Sequence, residues 1–234
     1  MSLRFTRFLL AAALGVLLAA PAAHAQVVFE DQFNGTSVDF SKWTGGPGNG
    51  LIDVSGGTLK MYGPGCGVFP VLYSKGLTFP INAQPFRFTM RHRYLALGPS
   101  GDGMNWFNSA GGYVLEMWQD SIHPQYVSLY QNGTWTGVNT TGTADLAWHD
   151  YVIDYCGGTF TVTIDGQLRH SIAGCNVASL LALGHPPGFS SCTWTTQEYD
   201  YVRIEKLNSC STPNLNCTTP TQSGTWGRLK TLYR

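Results

Sequence analysis

Charge is scarce in this 234-residue sequence: Lys and Arg number 14, Asp and Glu number 14, and together they make up 12% of the chain. Setting aside Arg4 and Arg7, which fall in the leader described below, leaves 12 basic residues of the 14 against 14 acidic ones, a formal net charge of −2. That balance excludes the basic footprint by which proteins are steered to nucleic acid. Helical periodicity is missing too, since no window of helical length carries a 3.6-residue apolar stripe. The six histidines are scattered and no Cys-x-x-Cys pair occurs, which argues against a zinc site. The chain also lacks a Gly-x-Ser-x-Gly elbow, a phosphate-binding glycine loop and a His-Glu-x-x-His pair, so the common hydrolase, nucleotide and metalloprotease signatures are absent.

The chain begins with a leader: Arg4 and Arg7, an apolar run from Phe8 to Ala20, and the small-residue site Ala23-His24-Ala25. Residues 1–25 therefore read as a secretory signal peptide cleaved before Gln26, because the run is short for a membrane span. No later segment is expected to cross a membrane. An exported chain is extracellular, periplasmic or held at the cell surface, and there its six cysteines are expected to form disulfides. Spacing pairs Cys210 with Cys217 across a flexible tract and Cys175 with Cys192 around Pro186-Pro187, which leaves Cys66 for Cys156.

Short alternating runs separated by Gly, Pro, Asn and Asp predict an all-β sandwich or barrel. The clearest is Tyr151–Ile172, in which Tyr151, Ile153 and Tyr155 alternate, Gly157-Gly158 turns the chain, and Phe160, Val162 and Ile164 alternate back onto the same face. Leu168 and Ile172 rejoin that face only if the loop after Ile164 holds an extra residue, so a bulged turn is expected there. Further strands are expected at Val27–Phe33, Leu51–Val54, Thr58–Tyr62, Val71–Leu77, Phe86–Tyr94, Tyr113–Gln119, Tyr126–Gln131 and Glu198–Leu207, enough for two stacked antiparallel sheets. Gly98–Gly112 reads as a long loop entering the Tyr113 strand. Beyond Leu207, residues 208–234 form a Ser/Thr/Pro-rich linker stapled by cysteine, and its last part, from Thr225 to Arg234, reads as a sorting or docking tail that would engage its own partner.

In Tyr113-Val114-Leu115-Glu116-Met117-Trp118-Gln119-Asp120, alternation places Glu116, Trp118 and Asp120 on one face, with Leu115 and Met117 on the other. Two carboxylates flanking an indole suit a sugar, since acids bind hydroxyls or move protons while the aromatic face stacks on a pyranose. Trp106, Trp135 and Trp194 are candidate outer platforms for the same ligand.

Three regions resemble the concanavalin A-like lectin/glucanase superfamily, which includes the family-16 glycoside hydrolases. Val28-Phe29-Glu30-Asp31-Gln32-Phe33-Asn34-Gly35 with Asp39-Phe40-Ser41-Lys42-Trp43 looks like its first strand and turn. Trp148-His149-Asp150-Tyr151 leading to Ile164-Asp165-Gly166 is similar to its hairpin pair, and Tyr199-Asp200-Tyr201-Val202-Arg203-Ile204 to its last strand. The resemblance implies a jelly-roll domain over residues 26–207. It also implies a catalytic strand of pattern Glu-x-Asp-x-Glu, which this chain matches at Glu116 and departs from at Trp118 and Asp120. Retaining hydrolysis needs carboxylates about 5–5.5 Å apart, whereas residues four apart on a strand start roughly 13 Å apart at Cα. The resemblance further implies a structural Ca2+ held by Asp200, with Glu30 and the Gly57 carbonyl beside it. The expectation is a carbohydrate-binding protein centred on Glu116, Trp118 and Asp120. Its alternatives are a glycoside hydrolase using Glu116 and Asp120, and a non-catalytic surface or adhesion module.

Overall fold

The computed structural model describes residues 25–48, 50–63, 70–77, 85–96, 105–107, 113–118, 126–131, 134–139, 145–173, 180–184, 196–208 and 210. Its strands run β1 (Gln26–Asp31), β2 (Trp43–Gly46), β3 (Leu51–Ser55), β4 (Thr58–Tyr62), β5 (Val71–Ser74), β6 (Phe86–Ala96), β7 (Asn105–Phe107), β8 (Tyr113–Trp118), β9 (Tyr126–Gln131), β10 (Thr134–Asn139), β11 (His149–Cys156), β12 (Thr159–Ile164), β13 (Gln167–Ala173), β14 (Leu180–Gly184) and β15 (Thr196–Lys206). Every pairing is antiparallel. One sheet of eight strands has the order β13-β12-β11-β6-β15-β4-β3, with β1 also on β15, and the other, of seven strands, has the order β10-β9-β8-β7-β14-β5-β2. The architecture is an all-β sandwich, one of the two forms the alternating pattern allows, and it is the jelly roll that the resemblance implies.

Strict alternation builds the core. Phe86, Phe88 and Met90 of β6 are buried, as are Tyr151, Ile153 and Tyr155 of β11 and Phe160, Val162 and Ile164 of β12, and they pack with Trp43, Leu72, Leu181 and Leu183 of the seven-stranded sheet. Each such side chain contributes about 1.5–3 kcal/mol on leaving water. On β15 the pattern would fail without a correction. Tyr199 pairs with His92 and Tyr201 with Arg91, so Asp200 is an extra residue opposite β6. This bulge reverses the parity, and Val202 and Ile204 face the core in place of Tyr201 and Arg203.

The Gly157-Gly158 turn is as expected, with both residues at positive φ. The next hairpin differs from expectation. Its loop is only Asp165-Gly166, and the extra residue sits inside β13, where Val162 pairs with His170 and Thr163 with Leu168. Arg169 is thus the bulge, Ile172 is buried beyond it, and Leu168 before it stays 66% exposed. The loop reading of Gly98–Gly112 is also corrected at its centre, because Asn105–Phe107 forms β7 between β8 and β14. Strands β2, β10 and β14 had no counterpart in the sequence expectation.

Cys156 bonds Cys210, with their Cα atoms 5.4 Å apart, which overturns the Cys66–Cys156 and Cys210–Cys217 pairings. The reason lies in the sheet, where Phe86 pairs with Tyr155 on one side and Lys206 on the other, so the chain ends just beyond both neighbours converge. A loop of 54 residues closed in this way is worth about 4 kcal/mol in restricted unfolded-state entropy. Cys66, Cys175, Cys192 and Cys217, the leader and the tail lie outside the described residues.

Candidate functional site

Strand β8 lies inside the seven-stranded sheet, between β7 and β9. Glu116 pairs with Asn105 on one side and Ser128 on the other, and Ser128 pairs with Gly137 of β10. Trp118 pairs with Tyr126, and Tyr126 with Asn139. Trp135 pairs with Tyr130, two residues from Ser128, and so shares the parity of the Glu116 row. Trp106 pairs with Leu115 and belongs to the alternate row. Asp120 and Trp194 lie outside the described residues.

The distribution of charge separates the two sheets. Among the described strands of the seven-stranded sheet, Glu116 is the single charged residue, set among Trp, Tyr, Phe, Ser, Thr and Asn. The eight-stranded sheet carries ion pairs on its outer face. Arg87 grips Asp154 through Nε and Nη2 at 2.7 Å each. Glu198, 4% exposed, accepts from Arg93 Nε at 2.7 Å and from Thr58 Oγ1 at 2.8 Å.

Polar contacts across the core set the strands next to the site. The Gly184 N–H of β14 donates to the Tyr199 hydroxyl at 3.2 Å, and that hydroxyl donates to Gln197 Oε1 at 2.6 Å. His92 Nε2 stands 3.2 Å from the same oxygen. Burial pushes the His92 pKa down to about 3; the Gln197 bond opposes the shift and the charge of His149 adds to it, so the ring is neutral. The Leu181 N–H of β14 donates to Ser74 Oγ at 2.9 Å. Strand β14 in turn pairs with β7, which pairs with β8.

The proposed cation ligands meet on the outer face. Glu30 and Asp200 line one groove with Gln32 and Asn34, and Gly57 adjoins Asn34. Each carboxylate faces a guanidinium, Glu30 with Arg203 Nη1 at 3.7 Å and Asp200 with Arg91 Nε at 3.7 Å. Calcium takes six to eight oxygens. As arranged, these oxygens answer arginines, and among the described residues no group of three or more His, Cys, Asp or Glu side chains gathers to hold a metal. The set does not fit calcium without rearrangement.

A histidine that sequence reasoning passed over, His149, has a carboxylate on each ring nitrogen: Asp165 Oδ2 at 2.6 Å from Nδ1 and Asp145 Oδ1 at 2.9 Å from Nε2. The only sequence signal was a histidine opening a strand whose return hairpin turns at an Asp-Gly.

No protein-family model matches the sequence, and no curated protein matches it. Solved structures do match in fold. An endo-1,3-β-glucanase from Streptomyces sioyaensis superposes with a TM-score of 0.60 at 13% identity, over 81% of this chain and 98% of that one. An endo-β-1,3-glucanase from Pyrococcus furiosus gives 0.58 at 15% identity, over 81% and 97%. A non-specific endo-β-1,3(4)-glucanase from family GH16 gives 0.59 at 16% identity, over 80% and 93%. The chain therefore shares the jelly-roll fold of these endo-β-glucanases. At these identities the likeness speaks for fold alone.

Proposed function

We propose that this protein is an exported, polysaccharide-active jelly roll of the glycoside hydrolase type, taking a neutral glucan-like chain on its seven-stranded sheet around Glu116. Glu116 itself carries the reading, because it is the one charged residue in the described strands of an aromatic sheet, in a fold shared with endo-1,3-β-glucanases. A neutral, hydroxylated ligand calls for aromatic faces and few carboxylates. Hydrolysis would pair Glu116 with Asp120 as acid and base, and their separation would set the stereochemistry: about 5–5.5 Å for retention, about 6.5–9.5 Å for inversion. Export is supported by the Cys156–Cys210 disulfide.

Binding without turnover is the second reading, favoured by the departures at Trp118 and Asp120 from the three-carboxylate pattern. One experiment separates the two. Reducing-end release from β-1,3-glucan and binding to the same oligosaccharide are measured for wild type, Glu116→Gln and Trp118→Ala. For a hydrolase, Glu116→Gln loses turnover by about 10²–10⁴-fold with binding kept. For a binder no turnover is seen, Trp118→Ala loses most affinity and Glu116→Gln only part of it. Binding unchanged in both variants rejects the site and leaves the adhesion-module reading.

A structural calcium ion at Glu30, Asp200 and the Gly57 carbonyl is a secondary proposal. It rests on the groove these carboxylates share and requires Arg91 and Arg203 to turn aside.

A further inference from the structure

We propose that His149 is a proton-operated latch, fastening residues 145–148, which lead into β11, to the β12–β13 turn while its ring is charged and releasing them when the ring loses a proton. The crossover between the two sheets leaves β10 at Asn139, on the edge of the seven-stranded sheet, and enters the eight-stranded sheet at His149, where β11 begins.

Ionised carboxylates only accept hydrogen bonds, so bonds to both ring nitrogens require both to donate, which only the imidazolium does. A neutral ring would set one nitrogen lone pair against a carboxylate. Each carboxylate is also fixed from behind. Asp145 Oδ1 accepts the Ala147 N–H at 2.9 Å, which holds residues 145–147 in a tight turn. Asp165 Oδ1 accepts the Asp150 N–H at 2.9 Å, while its own N–H donates to the Asp150 carbonyl at 2.9 Å. Asp165 sits at φ +51°, the left-handed conformation that the first residue of an Asp-Gly hairpin turn adopts.

Among the described residues, the other charged and titratable groups around the ring come from three elements. On β6, His92 stands opposite His149 in register and is neutral, while Arg91 pairs with Asp150 and Asp200, and Arg93 lies over Trp148. On β11, the Tyr151 ring is 6.3 Å away, and burial pushes its hydroxyl pKa up, so it stays neutral. From β13, the charge of Arg169 acts on Asp165. Burial opposes the charge on His149, but the bonds to Asp165 and Asp145 and their negative charge outweigh it and hold its pKa above the ordinary histidine value. Both aspartates are held below the usual carboxylate range: burial opposes this, and the His149 bond, the backbone amide bond and the His149 charge together outweigh it. The latch is thus fully closed below the unfolded histidine pKa and is lost as pH rises through the elevated folded one. It is lost again in acid, as pH falls through the depressed aspartate values.

The test follows the His149 ring proton by NMR in the full chain, together with exchange of the Ala147 and Asp150 amides, in wild type and Asp145→Asn. The expected titration lies above the ordinary histidine value, with both amides losing protection across the same range, and Asp145→Asn moves both transitions to lower pH. His149→Gln should lower the unfolding midpoint by about 2–4 °C near pH 6, and the gap should close by pH 9. A wild-type ring titrating at or below the ordinary value, amide protection that Asp145→Asn leaves unmoved, or a gap that persists at pH 9 would each overturn the latch. The ring titration needs no variant that unfolds, and its outcome is independent of the glycan reading.

Discussion

Asp31 offers a measurable account of how β1 is locked to the core. Its Oδ2 accepts the Trp43 indole N–H at 2.6 Å and its Oδ1 accepts the Phe33 N–H at 3.0 Å. Trp43 is fully buried and Phe33 is 4% exposed, packed ring to ring with it at φ +50°. Asp31→Ala strands two buried donors, each costing about 1–3 kcal/mol, so the loss should be about 2–6 kcal/mol. The half-exposed Lys42 ammonium, 3.8 Å away, adds little. Asp31→Asn keeps one acceptor oxygen and turns an N–H2 toward the other donor, so it should fall between alanine and wild type. Urea denaturation reads the effect as a lower midpoint at unchanged slope. A double-mutant cycle with Trp43→Phe, which removes the indole donor, should return a coupling of about 1–2 kcal/mol. An Asp31→Ala loss within about 0.5 kcal/mol, the range of ordinary surface changes, or full additivity in the cycle would refute the argument.

At the end of β14, a Cβ on Gly184 would meet the Pro70 carbonyl oxygen and the Met61 side chain at φ +91°. Gly184→Ala should therefore cost at least about 2 kcal/mol in urea, and a neutral result would mean that β5 gives way freely. For the calcium proposal, EDTA should lower the unfolding midpoint and added Ca2+ restore it; a midpoint that ignores the chelator rejects it.

How much was legible in the sequence depended on how local the cause was. The β11–β12 hairpin could be read because the Gly-Gly turn and the alternation on both arms lie in one continuous stretch. Strand β9 was located to its end residues for the same reason. Strand β7 was not, because its three residues are strands only by virtue of β8 and β14 on either side. Bulges were half legible. The conflict between Leu168 and Ile172 showed that an extra residue was needed, but only the pairing with β12 puts it at Arg169 in the strand. The disulfide failed for a related reason: nearness in sequence favoured Cys217, whereas Cys156 and Cys210 are brought together by flanking β6 at one end. His149 needed partners from two further segments, Asp145 and Asp165, and no spacing rule joins them. The Glu116 strand was legible because its alternation is internal to it.

The role proposed for Glu116 draws on a contrast in composition between the described strands of the two sheets. On the eight-stranded sheet several carboxylates face cations, Asp154 with Arg87, Glu198 with Arg93 and Lys60, Asp200 with Arg91, and Glu205 with Arg203, while Asp53 accepts from the Ser55 hydroxyl instead. A cation on a neighbouring strand offsets part of a carboxylate's desolvation. Glu116 has Asn105 and Ser128 at its registered neighbours, and no described strand of its sheet offers a cation. Asn and Ser are neutral, and neutral donors do not cancel a carboxylate's charge, which is what the proposed role of accepting from sugar hydroxyls or taking a proton requires. The same reasoning sets the condition for turnover. Glu116 alone serves a binder, but hydrolysis needs a second carboxylate at catalytic distance. Asp120 is the candidate that the sequence places on the same face, so Asp120→Asn should silence a hydrolase and leave a binder nearly intact.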